Sequence, residues 1–403
     1  MRERFSRVLA FLLLLPMAVS ADVVTETSAK TVAIVMSARL STPDGNRIVA
    51  TTQTAVFEAV NAVTRRYPVG RSGLKPVSGA SVEAAVAAAT RTVLMRMLPS
   101  QKEAIEVNYH QALASIAEGE PKSAGIRLGE EAAATVLELR KDESSEVAET
   151  FRPITQPGVY VPTAMPVFST WTKRKPWVLE RAEQFRPGPP PELKSEIWAR
   201  DFNEIKSMGV KKGSKRTPEQ TAVASFWETT GTGVYWPIVL SVANSKNREV
   251  TQNARLLAIV GQATDDAVIA VFDAKYTYNF WRPVTAIRNG DIDGNDATER
   301  DPSWTPFIDT PMHPEYPCAH CIIASTIGTV LKADLGETPV PELSSVSPTL
   351  AGATRRWTSV DDFIREVSEA RICDGVHYRT STEVGTAMGK KIGELVYSKF
   401  PPK

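Results

Sequence analysis

The sequence predicts a mainly α-helical protein, and three observations carry that reading. Long segments such as 46–67 and 81–98 place apolar residues at helical spacing. Thr217-Pro218-Glu219-Gln220 reads as an N-cap followed by proline at the first helical position and an acidic first turn. No strand-like alternation, internal repeat or low-complexity tract interrupts the pattern. Hydrophobic content of 42% and charged content of 23% suit a folded core in a chain of 403 residues. The formal charge of +1 implies no polyanionic partner such as nucleic acid.

Taken in order, the chain opens with arginines at 2, 4 and 7 and an apolar run from Val8 to Val19, ending in the small residues Val19-Ser20-Ala21. This is the layout of a secretory signal peptide over residues 1–21, too short in its apolar part to span a bilayer. Its removal takes away three arginines and one glutamate, which moves the formal charge from +1 to −1. No later segment is apolar enough to cross a membrane. The expected location is therefore secreted or periplasmic, an oxidising setting in which three cysteines form at most one internal pair.

Residues 22–403 read as a single α-helical domain. The segment 46–67 is an amphipathic helix, and 81–98 is an alanine-rich one. Segments 101–118 and 122–141 continue in the same style, and His110 reads as a surface or packing residue. From Asp142 to Pro191 many prolines exclude long helices, while Tyr160, Phe168, Trp171, Trp177 and Phe185 argue against a solvated linker. That stretch is expected to be an ordered connection lying over the core. Helices return at 192–207 and 217–230, and 247–288 forms one or two long apolar helices. In the loop 290–304, Asp291, Asp293 and Asn295 mimic half a calcium loop, but the sixth-position glycine and twelfth-position glutamate are missing, which leaves a solvated loop. Helices at about 319–335, 359–370 and 380–398 complete the chain.

Three segments could gather round one anion. In KYTYNFWRP (275–283), Lys275 and Arg282 are seven residues apart, and on one helix both would face the same way. In HPEYPCAHC (313–321), Pro317 suits a helix start, so the N–H groups of Cys318, Ala319 and His320 would lack intrahelical acceptors and form an anion site. In RICDGVHYR (371–379), Gly375 permits a break that could swing Arg371 and His377 toward one point.

The order Lys-x6-Arg-Pro, Pro-x-x-His, Arg-x5-His resembles the signature of the vanadium-dependent haloperoxidase and type 2 phosphatidic acid phosphatase superfamily. AVFEAVNAV (55–63), FRPGPPPEL (185–193), the segment 265–288 and HPEYP look like its soluble bacterial haloperoxidase-like branch. The resemblance implies a helical-bundle domain of the vanadium haloperoxidase and acid phosphatase type. It implies that Lys275, Arg282 and Arg371, with the N–H of Ala319, bind vanadate or phosphate. His377 would be the vanadium ligand or the phosphorus nucleophile, and His320 the general acid–base. The implied activity is vanadate-dependent oxidation of halide by hydrogen peroxide. Hydrolysis of phosphate esters by the same residues is the alternative, and a non-catalytic oxyanion-binding protein the second alternative. His313 lies outside the signature, and a structural role is expected for it.

The chain departs from the family where Pro317-Cys318-Ala319-His320 replaces Pro-Ser-Gly-His, and where Ser381 stands four residues after His377 in place of an acid. A thiol is a weaker donor than the hydroxyl it replaces, and thiols beside activated peroxide would be oxidised. The expectation is a Cys321–Cys373 disulfide clamping the second motif to the third. Cys318–Cys373 and three free buried thiols are the alternatives. A homodimer pairing through the alanine-rich face 81–93 is also open.

Overall fold

A computed structural model of the chain describes residues 22–70, 72–141, 150–162 and 164–400. The signal peptide assigned to 1–21 lies outside the described residues. Helix α1 (Val23–Ser37), which the sequence reading missed, begins where the Asp22 carboxylate accepts the N–H groups of Val24 and Thr25. Helix α2 (Thr42–Thr64) starts at an N-cap serine and is buried on every side from Gly45 to Ala62, so it is a central helix and not an amphipathic one. Its small and β-branched residues allow this, and its polar groups find partners: Arg47 pairs with Asp265 at 3.2 Å, and Thr54 Oγ1 accepts from Gln262 at 3.0 Å.

Helices α3 (Val82–Met97), α4 (Lys102–Ala114) and α5 (Glu120–Leu139) follow. A Cβ on Gly125 or Gly129 of α5 would stand 2.5 Å from Ser81 O or 2.3 Å from Ala85 O of the facing segment. The alanine-rich face is therefore covered by α5 and α2 of the same chain, which removes it as a dimer face. His110 is exposed on α4, 3.8 Å from Glu106.

The described part of the proline-rich connection lies over the core as expected. Trp171, Trp177 and Leu179 are buried in it, and the backbone N–H groups of Trp177, Val178 and Leu179 all donate to the Asp266 carboxylate at 2.6–2.9 Å. Asp266→Ala would leave three buried N–H groups without an acceptor. The expected loss, read from urea unfolding, is on the order of 3 kcal/mol. A loss below about 1 kcal/mol would show that the connection is held elsewhere.

Helices α6 (Glu196–Met208), α7 (Pro218–Phe226) and α8 (Thr232–Ala243) lead into α9 (Val250–Tyr278), the buried axis against which α2, α11 and α13 pack. Helix α9 stops at Asn279, which takes a left-handed φ of 46°, and α10 (Pro283–Arg288) starts afresh. The loop after α10 is structural: Asp293 is buried and accepts from Trp198 Nε1 at 2.8 Å and from Thr298. Helix α11 (Ala319–Leu335) is followed by a two-stranded antiparallel hairpin, β1 (Leu343–Val346) and β2 (Thr354–Trp357), which the sequence reading also missed. Helices α12 (Val360–Cys373) and α13 (Arg379–Ser398) end the chain. Glycines 385, 389 and 393 of α13 sit against the carbonyls of Cys318, Ile322 and Thr326, where a Cβ would come within 2.9 Å. That stripe lets α13 lie directly on α11 and sets the height of the α11 N-terminus. Beneath the same end, a second aromatic cluster joins α6 to the 280–287 segment, with Trp198 stacked on Trp281 and edge-on to Tyr378.

Candidate active site

The helix ends bring the three sequence segments together. Lys275 lies one turn before the end of α9 and is fully buried. Its Nζ donates to Pro314 O at 3.0 Å and to Glu315 O at 2.7 Å. Arg282 does not share its helix face, contrary to expectation, because the left-handed turn at Asn279 ends α9 and Arg282 becomes the N-cap residue of α10. Convergence comes from the turn. Arg282 donates through Nε to His313 O at 2.9 Å and through Nη1 to Val376 O at 2.8 Å.

Arg371 is in the last turn of α12, buried, with Nη1 donating to Trp227 O at 2.6 Å and paired with Asp374. The predicted break at Gly375 is a Schellman ending: Gly375 has φ +81°, Gly375 N donates to Ile372 O at 3.0 Å, and Val376 N to Arg371 O at 3.4 Å. His377 thus folds back beside Arg371. Its Nδ1 lies 2.7 Å from Glu315 Oε1, and its Nε2 lies 3.4 Å from Arg282 Nη1. Since a guanidinium only donates and the carboxylate accepts, His377 carries its proton on Nδ1 and presents a lone pair at Nε2.

Pro317 follows a cis Tyr316–Pro317 bond, and the helix cap is Cys318. Ala319 and His320 occupy the first turn of α11. Ala319 is not at positive φ, so its Cβ is accommodated. His320 Nε2 lies 3.3 Å from Thr229 O and must donate there, which leaves Nδ1 as the acceptor. His313 joins the site as well: Nδ1 lies 3.0 Å from Arg282 Nη2 and 3.1 Å from Pro314 O, with the ring edge-on to Phe272.

The disulfide is not the expected one. Cys318 and Cys321, the N-cap and third residues of α11, are paired with Cα atoms 5.4 Å apart, and Cys373 is a buried free cysteine. A local pair at the start of one helix meets the distance requirement without any tertiary register. Cys373, the last residue of α12, lies instead near Asp374, Glu369 and the Arg216 side chain that reaches its carbonyl. Neither Cys321–Cys373 nor Cys318–Cys373 forms.

His313, Ala319, His320, Arg371 and His377 line one cavity of about 240 Å³. Phe168, Val268, Val271, Phe272, Ile308 and Ile323 give it an apolar wall. Lys275 and Arg282 stand behind its histidines. A larger hollow of about 470 Å³ around Phe57 and Trp177 contains none of these groups. Burial, then the neighbouring cations, holds His313, His320 and His377 well below the ordinary imidazole range. Burial also pushes Glu315 up to about 7, against the pull of Lys275 and Arg282. Three buried cations thus meet two carboxylates, Glu315 and Asp374, and Arg371 Nε is a buried donor with no partner among the described residues. An arrangement with surplus buried positive charge and neutral imidazoles fits a tetrahedral oxyanion.

Sequence reasoning missed Glu315 and gave His313 no place here. The available signal was a carboxylate between two prolines in an aromatic stretch, combined with the missing acid at 381.

Residues 255–401 match the family described as VCPO second helical-bundle domain. The chain is 26% identical over 195 residues to vanadium chloroperoxidase of Curvularia inaequalis, covering 40% of this chain and 31% of that protein. The match therefore spans about a third of the length of the curated relative. Its fold is similar to that of a bacterial vanadium-dependent iodoperoxidase, with a TM-score of 0.79 at 23% identity over 96% of this chain and 98% of the other. It is also similar to a bacterial vanadium-dependent chloroperoxidase in its holo form, with a TM-score of 0.71 at 18% identity over 89% and 91%. The segment that carries the site thus matches the second helical-bundle domain of that family, and the fold over nearly the whole length is that of the helical vanadium haloperoxidases.

Proposed function

We propose that the chain is a vanadate-dependent haloperoxidase that oxidises halide with hydrogen peroxide. Lys275, Arg282 and Arg371 would hold the vanadate oxygens, with the Ala319 N–H as a further donor and His377 Nε2 as the protein ligand to vanadium. Bound vanadate would supply a Lewis acid that activates peroxide without changing its own oxidation state. The chain's own contribution is preorganised charge in a site walled from water, which needs no rearrangement as charge develops on the oxygens. His320, kept neutral by burial and by Arg371, has Nδ1 free to take a proton from an incoming acid and return it.

One observation favours peroxide over phosphate ester: no reactive thiol faces the cavity. Cys318 and Cys321 are already joined, and burial pushes the Cys373 thiol up to about 12, leaving it almost no thiolate. The same disulfide supports the proposed secreted or periplasmic location. Hydrolysis of phosphate monoesters, with His377 as nucleophile and His320 as proton donor, is the second reading. It is favoured by the loss of the serine hydroxyl that Cys318 replaces.

The test is turnover by the purified protein with orthovanadate and hydrogen peroxide, offered iodide, bromide and chloride in turn, beside p-nitrophenyl phosphate hydrolysis without vanadate. Halide oxidation that requires vanadate is the expected result. Ester hydrolysis inhibited by vanadate would transfer the assignment to a phosphatase. Vanadate binding with neither turnover would mark a non-catalytic oxyanion binder.

A further inference from the structure

The HPEYP loop, residues 313–317, holds Lys275, Arg282 and His377. The His313 carbonyl and ring hold Arg282, and the carbonyls of Pro314 and Glu315 hold Lys275. The Glu315 side chain does something separate. It is fully buried, and Oε1 accepts from His377 Nδ1 at 2.7 Å and from Tyr378 N at 3.1 Å. Lys275 reaches the Glu315 backbone carbonyl, and among the described residues His377 is the only basic side chain within 4 Å of its carboxylate oxygens. The Ser381 hydroxyl, four residues after His377, faces the same carboxylate.

We propose that Glu315 is the positioning residue of His377, supplying from the HPEYP loop the carboxylate that the superfamily pattern places where this chain has Ser381. The inference rests on the reading that an oxyanion is held at His377 Nε2. A carboxylate on Nδ1 fixes the tautomer and the ring plane, so that the Nε2 lone pair points at the cavity and gains basicity. Because the same loop carries the backbone acceptors of Lys275 and Arg282, one short segment sets the imidazole and two of the three cations together.

The test has two arms. In the unsubstituted protein, nitrogen-15 NMR of the His377 ring is expected to show Nδ1 protonated and Nε2 bare without any oxyanion present. An Nε2–H tautomer would overturn the proposal whether or not vanadate binds. In the second arm, orthovanadate affinity is measured by calorimetry for Glu315→Ala, for Glu315→Gln as the volume-conserving form, and for Glu315→Ala with Ser381→Asp. The single variants are expected to bind about 10- to 100-fold more weakly. The relocated carboxylate is expected to restore about 10-fold or more. Unchanged affinity in the single variants, or loss with no recovery in a folded double variant, would reduce Glu315 to a structural residue. If the unsubstituted protein binds neither vanadate nor phosphate, the functional reading falls, and the tautomer still decides the role of Glu315.

Discussion

His377→Ala is expected to abolish vanadate binding, while His320→Ala keeps binding and loses turnover. The two histidines face one cavity but stand in different relations to it. His377 Nε2 lies 3.4 Å from Arg282 Nη1, with its other nitrogen tied to Glu315. Removing it would delete the protein ligand to vanadium, and the vanadate affinity measured by calorimetry should fall more than about 100-fold. It also leaves the buried Glu315 carboxylate without the Nδ1–H donor of His377, which costs about 1–3 kcal/mol of stability. The stability loss and the binding loss can be separated. Combining His377→Ala with Glu315→Ala removes both members of the pair and should recover part of the stability, but none of the binding. His320 has only the Thr229 carbonyl to lose, so its variant should bind vanadate within a few-fold while turnover falls about 10²- to 10⁴-fold. Equal loss of binding in the two variants would end this division of roles.

How much of this could be read beforehand depended on what each feature is made of. Helices with marked starts were legible: Thr217 caps α7 in a capping box with Gln220, as the sequence suggested. Helix α8 was not, because Pro237 sits inside a run that is apolar on all sides and carries no period. The burial of α2 could not be told from amphipathicity, since its polar residues are paired with partners some two hundred residues away. At the site, Arg371, Gly375 and His377 were readable because a glycine-ended helix is a local event. The seven-residue spacing of Lys275 and Arg282 was read as one helix face, and a single left-handed asparagine, Asn279, overturned that reading. Glu315 and the Cys318–Cys321 pair went unread for related reasons. The first acts only across a tertiary contact, and the second competes with a long-range pairing that spacing cannot reject.

Gly375→Ala is expected to damage the site more than any change on its apolar wall, because two separate costs fall at the hinge between Arg371 and His377. The first is conformational: φ is +81°, a region where a Cβ costs about 1–2 kcal/mol. The second is steric. A Cβ there would lie 2.5 Å from Gly209 O and 3.0 Å from the Pro306 Cβ. Gly209 cannot retreat easily, since Phe307 N donates both to Gly209 O at 2.9 Å and to Asp374 O at 3.0 Å, pinning three segments at one crossing. Gly352 provides the control. Its φ is +80° and nothing lies within 4 Å of an added Cβ, so Gly352→Ala meets only the first cost. Urea unfolding should show a loss near 1 kcal/mol for Gly352→Ala and about 3 kcal/mol or more for Gly375→Ala. The second loss should also carry a functional signature. Relief of the clash moves the Schellman turn, and with it the imidazole relative to Arg371, and a shift of about 1 Å can cost about 10²-fold in turnover. If Gly375→Ala matches Gly352→Ala in both stability and vanadate affinity, the turn does not set the position of His377, and the ring is held by Glu315 alone.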